Sequence, residues 1–134
     1  MEKTVNFDLT GKVAIVTGGS RGLGVELATS MAEYGADIAL MAGNVEKMKK
    51  VAADIVEKTG RKVIWVKVNI GDEESVKAAV QTVMDEYGKI DILVNNAGII
   101  RYGRPEEMTY KDWTDVLNID VTGTWLMSKE VVNV

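Results

Sequence analysis

The stretch Val13-Ala14-Ile15-Val16-Thr17-Gly18-Gly19-Ser20-Arg21-Gly22-Leu23-Gly24 decides the fold, because an apolar run of strand length enters a glycine-rich turn and a helical pattern leaves it. The leaving pattern puts Leu23, Leu27 and Met31 on one stripe with Ala28 and Ala32 beside it, the spacing of a helix face laid on a sheet. At such a joint the first N–H groups of the helix have no intrahelical partner, and the helix dipole adds partial positive charge. Together these favour a bound pyrophosphate. Gly18 supplies a turn conformation, Gly22 keeps a side chain out of the phosphate path, and Gly24 lets the helix approach the strand closely.

Composition sets the outer limits. The chain has 134 residues, 46% hydrophobic and 27% charged, which is enough apolar material for one core and one domain spanning residues 1–134. A net charge of −4 and the absence of any long basic run argue against a nucleic-acid partner. No apolar run approaches a membrane span and the first residues lack a signal-peptide core, so a cytoplasmic location away from membranes is expected. With no cysteine and no histidine, disulfides, thiolate chemistry, imidazole triads and the commonest zinc ligand are excluded, and no metal site is expected.

The rest of the chain repeats the same rhythm. Strands are expected at 12–17, 36–41, 62–68 and 90–94, and helices at 22–34, through Val45, Met48, Ala52, Ile55 and Thr59, and through Val76, Ala79, Val80, Val83, Met84 and Tyr87. Gly35, Gly60 and Gly88 follow the three helices, as left-handed C-terminal caps require. Short apolar strands alternating with amphipathic helices predict an α/β fold, a doubly wound parallel sheet with ligands at the carboxyl ends of its strands. Thr17-Gly18, Ala42-Gly43, Asn69-Ile70 and Asn95-Asn96-Ala97-Gly98 are those ends, expected to line one crevice.

Asn95-Asn96-Ala97-Gly98 after a buried strand, together with Thr-Gly-x-x-x-Gly-x-Gly at 17–24, resembles the classical short-chain dehydrogenase/reductase family along the whole chain. The run Asn-Asn-Ala-Gly followed by Ile99-Ile100-Arg101 looks most like its gluconate and deoxygluconate dehydrogenases. The resemblance implies a Rossmann-type sheet, here ending after about four strands, and hydride transfer between a nicotinamide cofactor and a secondary alcohol or ketone, such as a sugar acid. It implies that Thr17, Gly18, Ser20, Arg21, Gly22, Leu23 and Gly24 hold the cofactor diphosphate, with Gly43, Asn69, Ile70, Asn95, Ala97, Gly98 and Val121 completing the cofactor site. Asn69 stands where the family usually has an aspartate contacting adenine, and an amide can still accept from the exocyclic amine. Asn95, able to donate and accept, is expected to tie neighbouring strand ends together, while Ala97 and Gly98 leave room for a ribose.

The same comparison addresses cofactor choice. An NAD site wants a carboxylate at the end of the second strand, where Ala42, Gly43 and Asn44 stand. Asp37 opens that strand, and five residues at about 3.3 Å each leave it roughly 16 Å away, solvated or capping. Arg21 lies where the family pairs with a 2′-phosphate, so NADP is favoured over NAD. Arg101 is a candidate for a substrate carboxylate.

The family's catalytic serine and Tyr-x-x-x-Lys are expected beyond this stretch. Four residues after Tyr34, Tyr87, Tyr102 and Tyr110 stand Ile38, Asp91, Glu106 and Thr114. No catalytic set is complete, and Asp120, expected to be partly buried, holds the family's asparagine position. Thr109 and Asp112 predict an N-cap for a long helix bearing Trp113, Leu117, Val121 and Trp125, the helix through which relatives form oligomers. It runs into Val131-Val132-Asn133-Val134 without a stop signal, so a cut chain that binds cofactor without turnover is expected. The other reading is a noncatalytic nucleotide-binding or dimerisation protein.

Overall fold

The computed structural model describes residues 5–134. Four strands, β1 (Val13–Thr17), β2 (Asp37–Ala42), β3 (Val63–Lys67) and β4 (Ile92–Val94), form one sheet in the order β3-β2-β1-β4. All three pairings are parallel, with Val16 beside both Leu40 and Val94. The helices between them are α1 (Leu23–Glu33), α2 (Val45–Thr59) and α3 (Glu73–Tyr87), followed by α4 (Tyr110–Leu117) and α5 (Thr124–Val132). The doubly wound arrangement is as expected, with β4 two residues shorter at its start.

The period of two along β1 divides the core. Ala14 and Val16 face α1 and α2 with Ala28, Ala32, Met48 and Ile55, whereas Val13 and Ile15 face α3 and α5 with Val76, Val80, Val83, Leu126 and Met127. β1 is buried along its whole length because helices cover both faces and strands flank both edges. Each fully buried valine, isoleucine or leucine contributes about 1.5–3 kcal/mol.

Two helical expectations are corrected. The face of α1 against the sheet is Gly24, Ala28 and Ala32, while Leu23 is 66% exposed at the mouth of the crevice. Small residues win there because the helix lies too near the strand end for a leucine: a Cβ on Gly24 would stand 2.2 Å from the Gly18 carbonyl oxygen. The long helix after Thr109 is broken by a π-helical turn, Asn118–Gly123, between α4 and α5. The turn is pinned where it crosses the loop after β3, since Asn118 Nδ2 donates to Gly71 O at 3.2 Å and Gly123 presses on Ile70. The capping box at its start is as expected, with Thr109 and Asp112 bonding reciprocally.

At the amino-terminal edge of the sheet, Asp37 is neither solvated nor a helix cap. It pairs with Arg61 at 2.7 Å and accepts from the Lys62 N–H at 3.1 Å, joining β2 to the start of β3. Tyr87 donates to Ile38 O in the same corner, and burial raises its phenol pKa. Gly60 and Gly88 are left-handed caps, at φ 69° and 74°.

Candidate dinucleotide site

The crevice opens where the chain reverses its direction of winding, between β1 and β4. A cavity of about 450 Å³ is lined there by Gly18, Ser20, Arg21 and Gly22 from the turn after β1, by Leu23 at the start of α1, and by Ala42 and Gly43 at the end of β2. Asn69 and Ile70 after β3 and Asn96, Ala97 and Gly98 after β4 complete it. Four strand ends therefore meet in one place, as their sequences require.

The entry to α1 differs from that of the other between-strand helices. Asn44 caps α2 by accepting from Lys47 N–H, and Asp72 caps α3 by accepting from Ser75 N–H. At α1 the N-cap is Gly22, with φ 57° and ψ −135°, and no side chain caps the helix. The helix start, whose Gly22 and Leu23 line the crevice, thus has no side-chain cap and carries the positive end of the helix dipole, a geometry suited to an anion. A side chain at Gly22 meets no atom, so it is the backbone conformation that demands glycine.

The floor of the crevice is a hydrogen-bonded joint between β1 and β4. The Thr17 hydroxyl, 1% exposed, donates to Val94 O at 3.3 Å and accepts from Asn96 N–H and Ala97 N–H, each at 3.0 Å. Thr17 therefore lies beneath the site rather than in its lining. Asn96 Nδ2 donates to Thr17 O at 3.0 Å and to Gly18 O at 3.4 Å. The strand-tying amide is thus Asn96, not Asn95. Asn95 points to the opposite face, where its Nδ2 donates to Ser128 Oγ on α5 at 3.0 Å. Parity along β4 explains the exchange: Asn96 continues the Ile92 and Val94 face toward α1, and Asn95 continues the Leu93 face toward α5.

Gly24 lies behind the lining, closing α1 onto Gly18 and Asn96. Val121 is 61% exposed on the π turn and lines none of the crevice. Asp120 is exposed instead of partly buried, and its Oδ1 accepts from Ile99 N–H at 2.8 Å, holding the segment after Gly98. It shares a side cavity of about 360 Å³ with Arg21, Gly98, Ile99, Ile100 and Arg101. Arg101 is at 4.0 Å from Asp112 and 3.9 Å from Asp115, so its charge is directed to α4. Asn96 lines the crevice as its strand end predicts, and Met41, Val68, Ile99 and Ile119 line it without having been expected there from sequence.

The residues present fit a dinucleotide. An uncapped helix start and a small-residue turn serve the diphosphate, and the cavity lies within the range of small-molecule sites. No helix among the described residues is long and apolar enough to cross a membrane.

The chain is similar to several known proteins. The D-threitol dehydrogenase of Mycolicibacterium smegmatis is 40% identical over 132 residues, covering 97% of this chain and 50% of the relative. The 2-dehydro-3-deoxy-D-gluconate 5-dehydrogenase of Formosa agariphila is 39% identical over 126 residues, 94% of this chain and 48% of the relative. Among solved structures, the L-sorbose reductase of Gluconobacter frateurii, complexed with NADPH and L-sorbose, superposes with a TM-score of 0.91 at 32% identity, over 96% of this chain and 49% of that one. The chain spans about half the length of the relatives it matches. A family model described as short chain dehydrogenase matches residues 12–134, and the chain belongs to that family.

Proposed function

We propose that this chain forms the dinucleotide-binding half of an NADP(H)-preferring oxidoreductase that acts on a secondary alcohol or ketone of a polyhydroxylated substrate, such as a polyol or sugar acid. The observation that carries the reading is the uncapped start of α1, with Gly22 at its N-cap, opening on a crevice fed by four strand ends. When bound, the nicotinamide supplies the hydride acceptor or donor.

The chain's own groups bind and orient. Amides at the start of α1 hold the diphosphate, Ala97 and Gly98 give room on the β4 side, and Asp120 fixes the Ile99 segment along that wall. Arg21, exposed in the crevice lining, supplies the cation for a 2′-phosphate; no acid follows β2 to prefer a free 2′-hydroxyl. The substrate class follows the named activities of the threitol, deoxygluconate and sorbose enzymes.

Titration by nicotinamide fluorescence tests the reading. NADPH is expected to bind more tightly than NADH, and Arg21→Ala to weaken NADPH about tenfold, in line with a charged hydrogen bond of about 1.5–3 kcal/mol, while leaving NADH unchanged. Equal loss for both cofactors removes the 2′-phosphate role from Arg21, and absence of binding by both removes the site.

A further inference from the structure

Asn118-Ile119-Asp120-Val121-Thr122-Gly123 holds none of the strong helix formers alanine, leucine, methionine, glutamate, glutamine, lysine and arginine, and it is where the helix widens into the π turn. The two sides of that turn are held very differently. On its carboxyl side α5 is anchored in the core by Leu126 and Met127, 6% and 0% exposed. On its amino side α4 buries no residue, and its ion pairs with Arg101 are long, 4.0 Å to Asp112 and 3.9 Å to Asp115. The turn is a yielding joint between a fixed helix and a weakly held one.

What holds the joint is the crevice wall. Asn118 Nδ2 donates to Gly71 O at 3.2 Å, and a Cβ on Gly71 would collide with the Asn118 and Ile119 side chains. Asp120 Oδ1 accepts from Ile99 N–H at 2.8 Å, and a Cβ on Gly123 would stand 2.7 Å from Ile70 Cγ1. Four of the six residues therefore meet the loops after β3 and β4, and Ile70, Gly98 and Ile99 of those same loops line the crevice. A ligand that orders the loops stabilises the turn, and by reciprocity the closed turn strengthens binding.

We propose that the Asn118–Gly123 turn is a coupling joint: filling the crevice locks it through the loops after β3 and β4 and so fixes α4, none of whose residues lines the crevice. The two states are α4 docked and α4 locally open, the second favoured by its lack of buried contacts. Asn118 is the positioning residue of the device, since its side chain reaches from the helix to the loop. Because α4 carries the exposed Trp113 and both partners of Arg101, the ligand sets a surface that it does not touch. The proposal rests on the dinucleotide reading above for its ligand and adds to it a response outside the site.

The experiment is hydrogen–deuterium exchange, read peptide by peptide, on the whole chain with and without saturating NADPH, binding being followed separately by nicotinamide fluorescence. NADPH is expected to slow exchange across α4 and the π turn by about fivefold or more. Asn118→Ala is expected to abolish the slowing in α4 and to weaken NADPH by a similar factor, about fivefold. Bound NADPH with unchanged exchange in α4 overturns the proposal on the wild-type protein alone, whatever the variant's stability. Slowing of α4 that persists in a folded Asn118→Ala also overturns it, because the protection then arises without the tie to Gly71. A chain that binds no NADPH instead defeats the dinucleotide reading, and this proposal with it.

Discussion

Asn96 Nδ2 lies 3.0 Å from the carbonyl oxygen of Thr17, so one side-chain amide joins the end of β4 to the end of β1 at the floor of the crevice. The joint is half-buried and shares the Thr17 hydroxyl, which is fully engaged by three partners. Removing the amide leaves the Thr17 and Gly18 carbonyls short of a donor.

Asn96→Ala is therefore expected to destabilise the chain by about 1–3 kcal/mol, the cost of unsatisfied buried polar groups, and to weaken dinucleotide binding by loosening the turn. Asn95→Ala breaks only the contact to Ser128 on α5 and is expected to cost less than about 1 kcal/mol. Urea denaturation of both variants checks the order; equal losses would refute the assignment of the strand tie to Asn96.

Gly24 tests how closely α1 must lie on the strand. Its Cβ would stand 2.2 Å from Gly18 O, a backbone atom, and 2.7 Å from Asn96 Nδ2, a side-chain amide held by its bonds to Thr17 O and Gly18 O. Gly24→Ala is expected to cost at least about 1–3 kcal/mol through overpacking and to reduce dinucleotide affinity more than tenfold by displacing the turn. Thermal unfolding and NADPH titration read the two effects separately. An unperturbed melting temperature would mean that the helix shifts freely.

Asp91 gives the fold a defined acid limit. Its carboxylate accepts from Val13 N–H at 2.8 Å and pairs with Lys89 at 3.0 Å, and these two bonds, the backbone one first, lower its pKa below the ordinary value of 3.8. A carboxyl whose folded pKa is depressed contributes stability above its unfolded pKa and loses it as pH falls through the folded value. Wild type is thus expected to lose more stability than Asp91→Asn on acidification from about pH 5 to pH 2. Asparagine keeps an acceptor for Val13 but has no charge to titrate. Parallel urea midpoints across that range would exclude Asp91 as a contributor.

These residues also show where sequence was sufficient. The sheet, its winding and the convergence of four strand ends followed from apolar periodicity and capping glycines, because burial on both faces forces those patterns. Asn95 and Asn96 could have been told apart by counting parity from Val94, since the pleat continues into the turn. The α1 face could not be read from hydrophobicity, because close approach at Gly24 favours alanine over leucine. The π turn was hidden as well: its causes, the contacts of Asn118 with Gly71 and Gly123 with Ile70, are long-range and leave no local signal.

That turn shapes the last surface. Trp113, Leu117, Val121 and Trp125 recur at intervals of four, and all remain exposed across α4, the π turn and α5, at 58%, 40%, 61% and 57%. Lys129 lies 5.0 Å over the Trp125 ring and pairs with Glu73 of α3 at 3.3 Å, so the indole is held in place while its outer surface faces water. Four large apolar side chains left exposed along one stretch are costly to hydrate, and a second copy of the same face would cover them by two-fold symmetry. The chain is accordingly expected to self-associate, with the Trp125 emission shifting to shorter wavelength as concentration rises. Val121→Glu places like charges across the centre of that interface and is expected to leave a monomer in sedimentation at about 0.1 mM, well above a micromolar dissociation constant. Because Val121 is outside the crevice, the same variant should keep the NADPH affinity of the isolated subunit. A wild-type chain that sediments as a monomer, or a Val121→Glu chain that still associates, would move the interface elsewhere, and the uncovered edge at β4 is where the unpaired backbone would take it.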